Sequence, residues 1–477
     1  EERRWELGSL VEILIENTSE ALRGSTQAAS SLTPLSRCAD TAALLAPLPA
    51  PDPATEEAVA VARGRLARAR ALLVGGLFDK ALEVAQEVAA SAEALGYWPL
   101  VAEAQFEVGR AQERLGHVDP AIESMRQTLL SAEAGRHDRV AVETFLRLVR
   151  LVGYQKVQID QGTRYAQMAR ALLQEMGERT RLEAMLEDHL GLLSSRRGDY
   201  ESAMGHHATA LRLADSEVDP DDLSRANTLI RLGNAERSAG RLDAAKQHLR
   251  QAVDLFSTVH GDLHPDVALA LERLGGVVSE LGDLDQALEL RRRAVDILRQ
   301  GLGVGHPMLA DNLVNLGSVL LRLRRPTEAR EAFQEAAHIY GALGESARSK
   351  QAAVAANLGS VALLEGRGEE ALAHFETAVT LQTEIFGADH PNTGLMRFNL
   401  AEAHNELGRH ATALDQHRSV LELWRRRLGE RHFLVAHGLT GQGRALLGLN
   451  RPSEAVGVLE QALGLAHGGA RTGDQER

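Results

Sequence analysis

The stretch "LALERLGGVVSELGDLDQALELRRRAVDIL", residues 269–298, decides how this chain folds. Apolar residues recur three and four apart on both sides of Gly282, the spacing of two amphipathic helices rather than of strands. Gly282 stands where the first helix must stop. With no Cβ it enters the left-handed conformation that closes a helix, so the stretch predicts a helix–turn–helix.

The stretch has copies. Leu-Gly occurs at 190–191, 232–233, 274–275, 316–317 and 358–359, a period of 42, with Leu400-Ala401 next. Seven residues after each of those glycines comes an inner glycine, at Gly198, Gly240, Gly282, Gly366 and Gly408, with Arg324 and Asn450 standing in at two copies. Asn tolerates a left-handed turn, whereas Arg324 predicts a different local turn. Five residues further stands Ala203, Ala245, Ala287, Ala329, Ala371, Ala413 or Ala455, and seven beyond that Ala210, Ala252, Ala294, Ala336, Ala378, Val420 or Ala462. Small residues at fixed places mark close helix crossings, which larger side chains would overpack by roughly 1–3 kcal/mol. Upstream the register persists at Gly109, Gly116 and Ala121, at Gly76 and Ala81, and in a divergent copy placed around Tyr165-Ala166. That makes ten units.

A third landmark looks at first like chemistry. "GADHPNTG", residues 387–394, puts Asp389 beside His390 and Pro391. His-Pro also occurs at 264–265 and 306–307, and His432 follows one period on. The repetition makes the segment a joint: Gly387 closes one helix, Asp389 or His390 caps the next, and Pro391 occupies its first turn. Periodic histidines on helices about 8–10 Å apart cannot converge on one zinc ion, whose ligands each lie about 2 Å away.

The pattern L-G-x6-G-x4-A-x6-A resembles the tetratricopeptide repeat, and the 42-residue unit with a His-Pro opening is similar to the kinesin-light-chain type. The resemblance covers about residues 55–466. It implies an all-α fold, a right-handed α-solenoid of about ten helix–turn–helix units preceded by a short helical segment. It also implies a concave groove lined by each unit's first helix, which binds a protein or peptide.

The position two before each Leu-Gly glycine faces that groove in the family. It reads His189, Arg231, Arg273, Asn315, Asn357, Asn399 and then Gly441. A carboxamide both donates and accepts, so it suits a peptide backbone of any sequence. Arginine suits a carboxylate or phosphate. Asn227, Asn234, Ser318, Arg322, Ser360 and Glu402 are expected to line the same groove. The expected partner is therefore a protein or peptide segment, with acidic character favoured at the 189–273 end.

Composition fits this reading. The chain is 477 residues long, 44% hydrophobic and only 4% aromatic, which favours helix and a repeat array over one globular core. A net charge of −13 argues against nucleic-acid binding. Lysine occurs four times among 53 basic residues, so the basic side chains are nearly all arginine, and runs such as Arg291–Arg293 and Arg425–Arg427 are expected to be solvated helix faces. One cysteine, Cys38, excludes an internal disulfide. No apolar run reaches membrane-spanning length, so direct membrane insertion is not expected. No kinase loop, phosphate loop, H-E-x-x-H or nucleophile elbow occurs, so neither catalysis, metal nor cofactor is expected of this chain. "RHDR" at 136–139 and "GLGVG" at 301–305 fall between repeat helices.

Residues 1–54 depart from the repeat: "RRWELGSLVEILIEN" reads as an amphipathic helix, and a Pro-rich linker ends the segment. The block resembles the one before the repeats of myxobacterial-type serine/threonine protein kinases, which implies the recruitment or regulatory region of a longer signalling protein. A location in the cytoplasm is expected, with any membrane tether supplied upstream. Residues 467–477 are expected to be a flexible tail, and exposed helix faces at the array ends allow self-association.

Overall fold

The computed structural model describes residues 7–12, 48–177, 181–216 and 222–473. The N-terminal helix and linker expected before residue 48 lie, apart from 7–12, outside the described residues, as do the last four residues of the expected tail. Among the described residues all regular structure is helical.

The described chain forms two compact units, Glu1–Asp262 and Leu263–Arg477. The first holds five helix pairs: α1 Glu56–Val74 with α2 Phe78–Leu95, α3 Trp98–Arg114 with α4 Val118–Ala134, α5 Asp138–Leu148 with α6 Ile159–Met176, α7 Arg181–Arg197 with α8 Tyr200–Asp215, and α9 Asp222–Ser238 with α10 Leu242–His260. The second holds five more: α11 Pro265–Glu280 with α12 Leu284–Leu302, α13 Pro307–Arg322 with α14 Pro326–Ala342, α15 Arg348–Leu364 with α16 Gly368–Phe386, α17 Pro391–Glu406 with α18 His410–Leu428, and α19 Phe433–Gly448 with α20 Pro452–Gly473. Each unit is thus an α-solenoid, and the ten pairs are the ten expected repeats.

Each pair closes as the sequence requires. At the inner turn Gly282 has φ +91°, its N–H donates to Ser279 O at 3.3 Å, and the Asp283 N–H donates to Val278 O at 3.2 Å. This is the paired hydrogen bonding of a Schellman cap. Arg324 corrects the expectation of a different turn. Its φ is +59°, its N–H donates to Leu321 O at 3.0 Å, and the Arg325 N–H donates to Leu320 O at 2.9 Å. Packed helices on both sides hold the same turn in spite of the Cβ, whose penalty is on the order of 1–2 kcal/mol. Asn450 makes that turn as well, at φ +57°.

The fixed alanines are buried at the helix crossings, Ala245, Ala287, Ala329 and Ala371 completely. The Leu-Gly glycines approach the second helix still more closely. A Cβ on Gly317 would sit 2.6 Å from the Phe333 ring, and one on Gly191 would sit 2.5 Å from the His207 ring. In each case the knob stands sixteen residues after the glycine. Arg291 is the knob of its repeat, with its Cγ 3.2 Å from where a Gly275 Cβ would be. It is buried, which corrects its reading as part of a solvated face; Arg292 and Arg293 are exposed.

The joints between repeats are capped by histidine. His264, His306, His390 and His432 each accept a backbone N–H at Nδ1, from Asp266, Met308, Asn392 and Leu434, all at 3.2 Å. Neighbouring repeats are further tied by ion pairs such as Arg241–Glu201 at 2.7 Å and Arg299–Glu335 at 2.9 Å.

The third repeat departs from the expected register. Its first helix continues from α5 into a π-helical segment, Val149–Gln155, and the turn that follows places Val157 at φ +58°. The Gly162 N–H donates to Gln158 O at 3.0 Å, just as the Ala203 N–H donates to Asp199 O at 3.1 Å one repeat later. Gly162 therefore takes the first small position, and Ala169 takes the second. Ala166 falls at the knob position instead. One extra residue before the turn is absorbed by the wider π turn. A Cβ on Gly162 would lie 2.6 Å from Gly153 Cα, so the two helices cross at glycine on glycine.

Candidate functional site

The row residues lie on first helices: His189 on α7, Arg231 on α9, Arg273 on α11, Asn315 on α13, Asn357 on α15 and Asn399 on α17. Two recesses open along this row, one in each unit.

The recess in the first unit has a volume of about 410 Å³ and gathers His189, Asn227 and Arg231 with Arg114, Arg147, Arg150, Arg181 and Arg225. Asp188 is its carboxylate. Its Oδ1 accepts from His207 Nδ1 at 2.8 Å, and its Oδ2 accepts from the Arg231 guanidinium. Burial alone would raise the Asp188 carboxyl; His207 and Arg231 outweigh it and hold the group below its usual value. His189 is 9% exposed, and its Nδ1 has no hydrogen-bond partner. Burial, against the opposing pull of Asp188, and then Arg231, Arg150 and Arg147 push it down to about 3, so the ring is neutral. Burial and then Arg110 bring Arg147 down to about 10, where it stays protonated at neutral pH. Arg147 donates to Glu113 at 3.2 Å, and Arg150 pairs with the same carboxylate.

The recess in the second unit is about 500 Å³ and brings Arg273 and Asn315 together with Glu272, Asp311, Asn312, Tyr340 and Lys350. Asn315 Nδ2 donates to Glu272 Oε1 at 3.1 Å, and Arg273 Nε lies 3.2 Å from Glu272 Oε2. Asp311 accepts from the Tyr340 hydroxyl and from Lys350, each at 2.6 Å. Burial and then Asp311 push the Tyr340 hydroxyl far up, so it remains a donor. Opposite charges balance here, in contrast to the first recess.

Among the remaining candidates, Ser318 and Ser360 donate to their own helices, at Val314 O (2.9 Å) and Ala356 O (3.1 Å). Asn227 does the same at Leu223 O, 2.9 Å away. Arg322 reaches back one repeat to Ser279 O at 3.2 Å. Glu402 is taken by Arg444 at 2.6 Å. Asn234, Asn357 and Asn399 are half-buried and line neither recess. A ladder invisible in the sequence links the row: Arg231 and Asn315 each bond a carboxylate 43 residues earlier, on the preceding first helix.

Sequence reasoning missed the arginines of the third repeat. The signal was there, since stepping the row back 42 residues from His189 lands on Arg147. The shifted inner turn hid it.

A tetratricopeptide repeat model matches residues 181–258, 266–342, 351–423 and 395–466, and a second matches 66–138, 230–301 and 314–384. The chain belongs to the tetratricopeptide repeat family. Protein kinesin light chain-related 2 of Arabidopsis thaliana is 27% identical to this tetratricopeptide repeat chain over 165 residues, which are 34% of the chain and 24% of that relative. The chain thus spans about a quarter of the relative's length. The apo form of RapI shares the fold at a TM-score of 0.56 and 11% identity, over 85% of this chain and 98% of that one. BtubC from P. vanneervenii is 20% identical, with a TM-score of 0.44, over 49% of this chain and 92% of that one. No helix among the described residues is long and apolar enough to cross a membrane.

Proposed function

We propose that this chain is a non-catalytic interaction scaffold that holds a protein or peptide segment along the row of its first helices. Tetratricopeptide repeat proteins are in general such scaffolds. One observation carries the finer reading. Four of the row residues line recesses that run across successive first helices, His189 with Arg231 in one, and Arg273 with Asn315 in the other beside Lys350 of the next repeat. Glu272, Asp311 and Lys350 there offer both signs of charge, and Asn315 offers a carboxamide. A segment laid across them meets donors and acceptors at each repeat. Replacing Asn357 and Arg273 with alanine should weaken partner binding and leave melting nearly unchanged. A sharp fall in melting would make them structural and end the proposal.

The recruitment or regulatory part of a longer signalling protein is the setting this reading suits. Its kinase version rests on residues 1–54 alone and gains no support from the fold or the relatives. Self-association has one observation behind it: in the last repeat Phe433, Leu447, Val456 and Leu463 are exposed. Light scattering over a concentration series tests it, and a constant monomeric mass rules it out.

A further inference from the structure

The recess in the first unit inverts the sign of the protein around it. In a chain of net charge −13, six arginines line it against one lining carboxylate, Asp188. For Arg147, Arg150 and Arg231 the counter-charges are shared. Arg147 and Arg150 divide Glu113 between them, and Asp188 serves both Arg231 and His207. The Arg114 guanidinium rests on the Phe78 ring, 4.9 Å from its centroid. Arg225 has two carboxylates, Asp215 at 2.7 Å and Asp222 at 2.8 Å.

We infer that this recess is a binding site for a dianionic phosphoryl group. It sharpens the segment-binding reading at this end of the row, and in its partner-borne form rests on it. Three features of the recess carry it. The cations come from four successive repeats, Arg114 from the second, Arg147 and Arg150 from the third, Arg181 from the fourth, and Arg225 and Arg231 from the fifth. They therefore approach from several directions. That suits a tetrahedral group with three acceptor oxygens better than a planar carboxylate with two. Guanidinium forks are matched to phosphate and shed their hydration more readily than ammonium, and the lining contains no lysine.

His189 supplies the second, independent pointer. It lines the recess, is nine-tenths buried, and leaves Nδ1 without a hydrogen-bond partner. An unmet buried polar atom is a standing penalty. Turned toward the recess, the neutral ring would donate to a phosphoryl oxygen without adding charge to the protein. Third, the π-helical segment Val149–Gln155 begins between Arg147 and Arg150, and such segments gather at functional sites. The volume of about 410 Å³ leaves room for whatever carries the phosphate.

The phosphate can come from a phosphorylated side chain of a partner segment or from a small phosphorylated molecule. Titration calorimetry on the whole chain separates them, with inorganic phosphate, a short phosphoserine peptide, and that peptide with serine or glutamate in place of phosphoserine. The expected result is saturable phosphate binding, weakened at least about tenfold by Arg147→Gln and Arg150→Gln. Phosphoserine peptide binding more tightly than inorganic phosphate assigns the site to a partner segment. The reverse order assigns it to a small molecule. No saturable heat with either ligand, unchanged binding in the arginine variants, or a glutamate peptide binding as well as the phosphorylated one would each overturn the inference. Because removing either arginine unbalances Glu113, Arg114→Gln and His189→Phe provide a second pair that leaves the Glu113 and Asp188 ion pairs in place. Both must weaken phosphate binding with the melting curve preserved. Asn357→Ala separates this inference from the broader reading. It should retain full phosphate binding, and loss of phosphate binding alone leaves segment binding by the second unit intact.

Discussion

Gly317→Ala tests the packing rule on which every repeat depends. The added Cβ would lie 2.6 Å from Phe333 Cε1, 2.7 Å from Cζ and 3.0 Å from Cδ1. Carbon atoms prefer about 3.5–4.0 Å, so the ring would have to move by about 1 Å. Phe333 is completely buried and sits on α14, which is fixed by Ala329 and Ala336 on the same face. Overpacking of this kind costs about 1–3 kcal/mol. Alanine recovers about 1 kcal/mol of helix propensity over glycine, leaving a net loss of up to about 2 kcal/mol. Gly205→Ala is the control, because Gly205 lies inside α8, is exposed, and has nothing within 4 Å of a Cβ. It should gain about 0.5–1 kcal/mol. Repeat arrays need not unfold in one step. Hydrogen exchange of the α13 and α14 amides therefore reads the loss locally, beside denaturant unfolding of the whole chain. Adding Phe333→Leu should recover part of it. If Gly317→Ala stabilises as much as Gly205→Ala, the knob against glycine is not what sets the helix crossing.

Four other outcomes follow from the same structure. Arg324→Gly removes a Cβ from a left-handed turn and should stabilise the second unit by about 1 kcal/mol in denaturant unfolding. His390→Ala removes a cap acceptor and should lower stability by about 1 kcal/mol, with hydrogen-exchange protection lost first at the start of α17. Acid should destabilise the first unit in two stages. His189 has a folded value of about 3 against an ordinary 6.5, so protons favour the unfolded chain as pH falls below 6.5. At about 1.4 kcal/mol per unit, that is roughly 2 kcal/mol by pH 5. Asp188, Glu103 and Glu107 are all held below their ordinary values, so their contribution is present above the usual carboxylate range and lost as pH falls through it. Melting against pH should show both stages, and His189→Phe should remove the first. Glu113→Gln leaves Arg147 and Arg150 without their shared carboxylate and should cost about 1–3 kcal/mol, partly restored by added phosphate if the recess binds it.

The fold was legible because its constraints are local and repeated. An inner residue that must adopt positive φ, alanines at crossings and histidine caps each leave a residue type at a fixed offset. What was not legible follows from forces that leave no fixed residue. Arg324 makes the common turn because the helices around it impose the conformation. The third repeat carries one extra residue, and only a backbone shows that a π turn absorbs it and puts Gly162 where Ala166 was expected. The row of His189, Arg231 and Arg273 could be read from the period. Its electrostatics could not, because Asp188 and Glu272 meet Arg231 and Asn315 only across neighbouring helices, 43 residues apart. Arg291 looked like surface charge because its sequence neighbours are charged, and nothing in one sequence marks the aliphatic stem that packs on Gly275.

The central claim, that the first-helix row is the binding face, is tested most directly by photo-crosslinking from defined positions in the second unit. A crosslinking side chain at Ser318 or Asn357 stands on first helices, while one at the exposed Thr377 stands on a second helix. Capture of the same partner segment from 318 and 357, and not from 377, is the predicted result. Capture from 377 with none from 318 or 357 would place the binding face elsewhere and contradict the account.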